Sequence, residues 1–159
     1  MMQKERFLSR SAAQIYLMRE HEGKTQILFG MRSGDIIDLA NGSWDVAGGH
    51  LEEGESFIKA ANRLTKKEYN ITFDEEDIKF TTIIHVGKHN IVGMQYINAH
   101  FFIDKWTGTP SIGEPDKMNK LEWIDIDNLP TNLNFDRNEA INNYLKQKTY
   151  SEIGFDKEI

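Results

Sequence analysis

The fold of this chain is decided by a glycine-rich stretch, Gly48-Gly49-His50-Leu51-Glu52-Glu53-Gly54-Glu55, and by the segment after it, Ser56-Phe57-Ile58-Lys59-Ala60-Ala61-Asn62-Arg63-Leu64-Thr65-Lys66-Lys67-Glu68-Tyr69-Asn70-Ile71. Apolar residues at 57, 60, 61 and 64 have the spacing of one helix face. Ser56 stands just before them as a candidate N-cap, and the acids at 52, 53 and 55 suit the positive end of a helix dipole. We predict a loop followed directly by a helix. Such a loop can hold a metal ion or a phosphate.

This stretch resembles the Nudix box, the signature of hydrolases that cut a diphosphate linked to another moiety. The box runs glycine, five residues, Glu, seven residues, then Arg-Glu-apolar-any-Glu-Glu-any-Gly-apolar. The positions that match it in register are Gly49, Glu55, Arg63, Glu68 and Ile71. The box is degenerate, since two acids are replaced by Leu64 and Lys67, the intervening apolar residue by Thr65, and the glycine by Asn70.

The replaced acids fall where the resemblance places the metal chemistry. Residues 64, 67 and 68 share one helix face because they are three and four positions apart. Mg²⁺ needs only one or two protein carboxylates when substrate phosphates and waters complete its octahedron. The resemblance therefore implies a Mg²⁺ or Mn²⁺ cofactor held mainly by Glu68, with the backbone carbonyl of Gly48 and an acid outside the helix, such as Glu52, as further ligands.

Other residues receive roles from the same resemblance. Glu55 and Arg63 are expected to form a structural ion pair beside the structural Gly49. The catalytic set is Glu68 with Glu114 or Glu52 as a general base. For Glu52 and Glu53, a merely favourable charge at a helix start remains the alternative to metal binding.

Two cationic residues are candidates for binding substrate. Arg32 can reach a substrate phosphate, or it can pair with Asp35 or Asp38 on the surface. Lys67 is either a solvated lysine on the helix face or a direct phosphate contact that replaces a cation. Leu64 fits the apolar stripe of the helix as one more core residue.

Composition restricts the class of protein. The chain has 159 residues, 18.4 kDa, 39% hydrophobic and 28% charged residues, as expected for one globular domain over residues 1–159. No apolar run approaches the roughly 18 residues of a membrane span, and no apolar segment follows the N-terminus, so we expect a cytoplasmic protein without membrane contact.

The net charge and the absence of cysteine restrict the ligands that the chain is expected to bind. The chain has no cysteine, which excludes disulfides and thiolate zinc sites. Its net charge of −6 argues against binding a nucleic-acid polymer and favours a small phosphorylated substrate. The histidines His85, His89 and His100 lie on or beside strand-like runs rather than on a predicted helix, and no thiolate partner is present, so we interpret them as ordinary sheet or surface residues. Oligomeric state has no signal in the sequence.

Strand-like runs surround the central helix. Residues 11–18 and 25–31 predict one hairpin, residues 44–47 a short strand, and residues 78–86 and 94–103 a second hairpin. Residues 106–118 form a loop, residues 121–126 alternate as a strand, and residues 137–148 predict a closing helix with Ala140, Ile141, Tyr144 and Leu145 on one face. We therefore predict an α+β fold, a Nudix-like α/β/α sandwich with a mixed sheet.

Two functions from different classes follow. The first is a metal-dependent pyrophosphohydrolase, a Nudix hydrolase that cuts a nucleoside diphosphate linked to another moiety, such as a nucleoside triphosphate or a nucleotide sugar. The second is a catalytically impaired module that binds or senses a nucleotide. The degenerate box is the feature that keeps both open.

Overall fold

The computed structural model describes residues 5–33, 42–87, 94–134 and 136–155. Their strands are β1 (Arg10–His21), β2 (Lys24–Arg32), β3 (Trp44–Asp45), β4 (Ala47–His50), β5 (Lys79–Val86), β6 (Tyr96–Ile103), β7 (Met118–Asp125) and β8 (Tyr150–Ile153). The α-helices are α1 (Phe57–Tyr69) and α2 (Arg137–Lys146), and a short 3-10 helix spans Glu75–Asp77. Within the described residues no helix combines the length and apolar character needed to cross a bilayer.

The strand β1 organises the sheet because its two halves have different partners. Residues 10–17 pair in parallel with β6, residues 12–15 pair antiparallel with β4, and residues 18–21 pair antiparallel with β2. β2 also pairs antiparallel with β3 and β7, while β5 pairs antiparallel with β6 and parallel with β8. The result is the predicted mixed sheet, and both predicted hairpins are present in it.

Alternate side chains of β1 point to opposite faces of this sheet, and each face carries a helix. Ala13 and Ile15 join the cluster that buries Ala60, Ala61 and Leu64 of α1. Tyr16 belongs to the second cluster, on the other face, with Ala140 and Ile141 of α2. A sheet between two helices is the predicted α/β/α sandwich, which is confirmed.

The main local difference from the sequence prediction is that Gly48 and Gly49 lie in the strand β4 rather than in a loop. They pair with β1, where Gly48 is opposite Gln14 and Gly49 is opposite Ala13. A Cβ at Gly49 would meet Leu64 Cδ2 at 2.9 Å, and a Cβ at Gly48 would overlap the Gln14 amide. The glycines thus allow close packing of the strand against its neighbours.

Two further details differ at the end of the chain. Leu145 was predicted on the buried face of α2 but is 57% exposed, whereas Arg137 and Asn143 are buried instead. The strand β8 was not predicted, and its four residues owe their extended form to parallel pairing with β5. Both features depend on neighbours that are distant in sequence.

Candidate active site

Glu68 lies in the last turn of α1, and the caps of the helix fix its position. The Ser56 hydroxyl accepts a hydrogen bond from Lys59 N–H at 3.2 Å, as predicted for the N-cap. Asn70 ends the helix in the left-handed conformation, with φ of 57°. The Gly48 N–H donates to Glu68 Oε2 at 3.0 Å, so Glu68 meets Gly48, the residue before the box, where α1 packs on β4.

The Glu68 carboxyl group has a strongly shifted pKa. Burial raises this pKa to about 8, the hydrogen bond from Gly48 opposes the shift, and the charges of Asp45 and Glu114 add to it. The Arg32 guanidinium partly offsets these carboxylates. Glu114 and Arg32, which come from two other parts of the chain, therefore both act electrostatically on Glu68.

The two replaced box positions have different surroundings. Leu64 is 5% exposed and belongs to the apolar cluster beneath α1, as its place in the stripe predicts. Lys67 is on the surface, with 54% of its side chain exposed, and its Nζ lies 3.6 Å from Glu114 Oε2. Lys117 Nζ lies 3.6 Å from the same oxygen. We name Lys67, Glu114 and Lys117 the Glu114 cluster.

The loop that carries Glu114 is attached to the end of α1 by main-chain hydrogen bonds. Ser111 N–H donates to Tyr69 O at 3.0 Å, and Gly113 N–H donates to Glu68 O at 2.9 Å. These bonds satisfy carbonyl groups that the last turn of a helix leaves without partners. Gly113 approaches so closely that a Cβ there would overlap the backbone carbonyl of Lys67.

This close approach leads to a prediction for Gly113→Ala. The added methyl group must push the loop away from α1, because its nearest neighbours are backbone atoms that cannot rotate away. We expect a loss of about 1–3 kcal/mol in the free energy of unfolding, as for other overpacked sites. Urea unfolding measures the loss, and faster amide hydrogen exchange over residues 111–117 locates it. Asp116→Ala, at an exposed position of the same loop, is the control. Equal behaviour of the two variants would refute the packing argument.

Glu55 and Arg63 form a bidentate ion pair at the other end of α1. Arg63 Nε donates to Glu55 Oε2 at 2.7 Å and Nη2 donates to Oε1 at 2.9 Å. The hydrogen bond from Arg63, together with that from the Glu52 N–H, lowers the pKa of Glu55 to about 2. The Glu52 carboxylate is 3.7 Å from Arg63 Nη1 and is 69% exposed. The structure thus places Glu52 with this ion pair, while Glu114 is the predicted base that acts on Glu68.

Arg32 contacts Asp45, one of the carboxylates that act on Glu68. Its Nη1 lies 3.4 Å from Asp45 Oδ2, and that oxygen also accepts a hydrogen bond from Asn134 Nδ2 at 2.7 Å. Asp45 Oδ1 accepts one from Arg137 Nε at 2.8 Å. The sequence-based partners Asp35 and Asp38 lie outside the described residues.

Beyond Asp45, a chain of buried polar side chains continues beneath α2. Arg137 Nη1 donates to Asp136 Oδ1 at 2.6 Å, and Asn98 Nδ2 donates to Asp136 Oδ2 at 2.9 Å. His100 lies between Asp136 and Tyr16, with its Nε2 at 3.2 Å from the carboxylate and its Nδ1 at 2.9 Å from the hydroxyl. His100 is thus a hydrogen-bonded core residue; His85 lies on β5, and His89 is outside the described residues.

The pKa values in this network favour its charged form. Burial raises the pKa of Asp136, but the charges of His100 and Arg137 and the hydrogen bonds from His100 and Asn98 hold it well below the ordinary value. Burial likewise works against the charge of Arg137, whose pKa is nevertheless raised by the carboxylates of Asp45 and Asp136. We name Asp45, Asp136 and Arg137 the buried ion cluster.

No motif in the sequence predicts this cluster. Two signals pointed to it: Asp45 interrupts an otherwise apolar strand, and Arg137 begins α2, where the helix dipole disfavours a cation. A buried charge that violates a local preference needs a compensating partner. The identity of that partner could not be read from the sequence, since Asp45 and Arg137 are 92 positions apart.

The donor set of the site fits a cation that arrives with its substrate. Among the described residues, no group of three or more His, Cys, Asp or Glu side chains is arranged to hold a metal ion. Glu68 supplies carboxylate oxygens of the kind that Mg²⁺ and Mn²⁺ take, and one or two such ligands suffice when phosphates and waters complete the shell. The described residues therefore do not form a preformed cage of carboxylates.

Comparison with known families identifies a match over most of the chain. A family model described as "NUDIX domain" matches residues 8–144. Among curated proteins, the oxidized purine nucleoside triphosphate hydrolase of Danio rerio is 29% identical over 109 residues. That alignment covers 66% of this chain and 62% of the relative, so less than two thirds of the relative's length is matched.

Solved structures show the same fold. The MutT NUDIX hydrolase from Burkholderia pseudomallei superposes with a TM-score of 0.74 at 20% identity, covering 86% of this chain and 98% of that one. The NUDIX domain of NrtR from Shewanella oneidensis, in complex with ADP ribose, gives a TM-score of 0.70 at 15% identity, with 90% of each chain covered. At these identities the likeness shows the fold alone.

Proposed function

This chain belongs to the NUDIX family, and from that premise we propose that it is a divalent-metal-dependent hydrolase of a small nucleotide. The bond cut is the phosphoanhydride of a nucleoside diphosphate linked to another moiety, as in a nucleoside triphosphate or a nucleotide sugar. The proposal rests on one observation: the Glu68 carboxylate, hydrogen-bonded to Gly48 N–H, shares its electrostatic environment with Glu114 and Arg32.

The residues of the site have different roles in the proposed reaction. Mg²⁺ or Mn²⁺ would be held by Glu68, the Gly48 carbonyl and substrate oxygens, and it supplies Lewis-acid polarisation of a phosphate. Arg32 contributes a positive charge that orients the phosphates. Glu114 accepts a proton from the attacking water, a role that we prefer for it over Glu52 because Glu114 acts on Glu68.

A substrate panel tests this function. Release of phosphate or pyrophosphate from nucleoside triphosphates and nucleotide sugars is measured with Mg²⁺, with Mn²⁺ and with EDTA. We expect turnover that requires a cation, and a rate for Glu114→Gln that is roughly 10²–10⁴-fold lower, the usual effect of losing a general base. Glu122→Gln, on the surface of β7, is the matched control. Turnover that survives Glu114→Gln would reject the base assignment and leave the hydrolase proposal intact.

The alternative, a module that binds a nucleotide without cutting it, is favoured by a different observation. One replaced acid is a core leucine and the other a lysine paired with Glu114, so the metal-binding face retains only Glu68 of its three box acids. Saturable nucleotide binding without turnover of any compound in the panel, with either cation, would select this alternative and reject the hydrolase.

A further inference from the structure

We propose that Lys67 and Lys117 form a phosphate-binding pair that holds the phosphates of a nucleotide without a divalent cation. The inference rests on the proposed function only in taking a phosphorylated nucleotide as the ligand, and it concerns binding rather than turnover. It assigns to this chain an anion site at a position where the Nudix box carries an acid.

The geometry of the Glu114 cluster is the first argument. Both ammonium groups lie 3.6 Å from the same oxygen, Glu114 Oε2, although one belongs to α1 and the other to the loop before β7. Two cations around one carboxylate leave a net positive charge of one. A phosphate oxygen is an acceptor of the same kind as this carboxylate oxygen, and lysine binds phosphates as a point charge.

Main-chain contacts also hold the backbone around the Glu114 cluster in place. Gly113 holds the loop against the Lys67 carbonyl, and Lys117 N–H returns to Glu114 O at 3.0 Å. Met118, the next residue, is 6% exposed in the core beneath α1. The two lysines therefore project from fixed points, although 54% and 59% of their side chains remain accessible to a ligand.

The Glu114 cluster lies next to the other charged residues of the site. Ser33 N–H donates to Lys117 O at 2.9 Å, and Arg32 is paired with Met118 in the register of β2 and β7. Gly113 N–H, next to Glu114 in the chain, donates to Glu68 O at 2.9 Å. The cluster is thus continuous with Glu68 and Arg32, and phosphates bound to the lysines would lie beside them.

The test measures binding of inorganic pyrophosphate by calorimetry in EDTA. We expect the unaltered protein to bind, and Lys67→Gln and Lys117→Gln each to weaken binding by about tenfold or more, the loss of one charge-assisted contact. Lys66→Gln removes the same charge from the adjacent exposed position and is the matched control. Thermal melting of each variant verifies that it is folded.

A second variant reverses the charge. Lys67→Glu restores the acid of the box, and we expect it to lose pyrophosphate binding in EDTA and to bind when Mg²⁺ is added. Binding by the unaltered protein only with Mg²⁺, or equal affinities of Lys67→Gln and Lys66→Gln, would overturn the proposal. These outcomes are independent of turnover, so failure of the hydrolase proposal and failure of this inference are distinguished.

Discussion

Replacing Glu68 with glutamine is expected to stabilise the metal-free protein at pH 8 and above while abolishing the proposed hydrolysis. The folded-state pKa of Glu68, about 8, exceeds the ordinary value of 4.5. At a pH between these two values, Glu68 is protonated in the folded protein and ionised in the unfolded chain. The free energy of unfolding therefore falls as pH rises through this range. Glutamine removes that cost, and its amide oxygen can still accept the Gly48 hydrogen bond.

The expected gain is about 1–3 kcal/mol at pH 9, less than the full shift implies because Glu68 is only partly buried. Urea unfolding at pH 5 and pH 9 measures it, and the gain should be small at the lower pH. Glu76→Gln, at an exposed position, is the control for loss of one negative charge. Equal or lower stability of Glu68→Gln at pH 9 would show that the carboxylate is not destabilising in the folded protein. Turnover comparable to the unaltered protein would exclude Glu68 from the proposed active site.

Replacing Arg137 with methionine is expected to lower the free energy of unfolding by about 3–5 kcal/mol, which is the usual effect of breaking a buried ion pair. This is the largest loss that we expect for any of the variants described. Asp45 and Asp136 are 2% exposed, and each accepts a hydrogen bond from Arg137. Without the guanidinium, two carboxylates remain buried, with only neutral amides, His100 and the more distant Arg32 around them.

The free energy of unfolding at pH 7, from urea titration, measures this effect. Arg6→Met removes a charge from an exposed position and should change stability by less than about 0.5 kcal/mol. The double variant Arg137→Met/Asp45→Asn should recover part of the loss, since it removes one of the two uncompensated charges. A loss below about 1 kcal/mol for Arg137→Met would contradict the assignment of Arg137 as the charge that compensates both carboxylates.

Much of the fold was predictable because its signals are local. The helix α1 follows from the spacing of Ala60, Ala61 and Leu64 and from the Ser56 cap, and each hairpin from adjacent strand-like runs. The signals failed where a distant neighbour decides the conformation. Gly48 and Gly49 have a loop-like composition but are extended because β1 pairs with them, and β8 is extended because β5 does.

The candidate site divides in the same way. The sequence alone determined the register of the box, and with it the place of Glu68 on α1 and the loss of two acids at 64 and 67. The resemblance implied the partnership of Glu55 with Arg63. The tertiary structure decided that Lys67 faces Glu114 and that Asp45 and Arg137 share a buried ion cluster. The physical reason is distance along the chain. Helix periodicity and capping act over a few residues, whereas a buried charge is compensated by whichever partner the packing of remote elements brings to it.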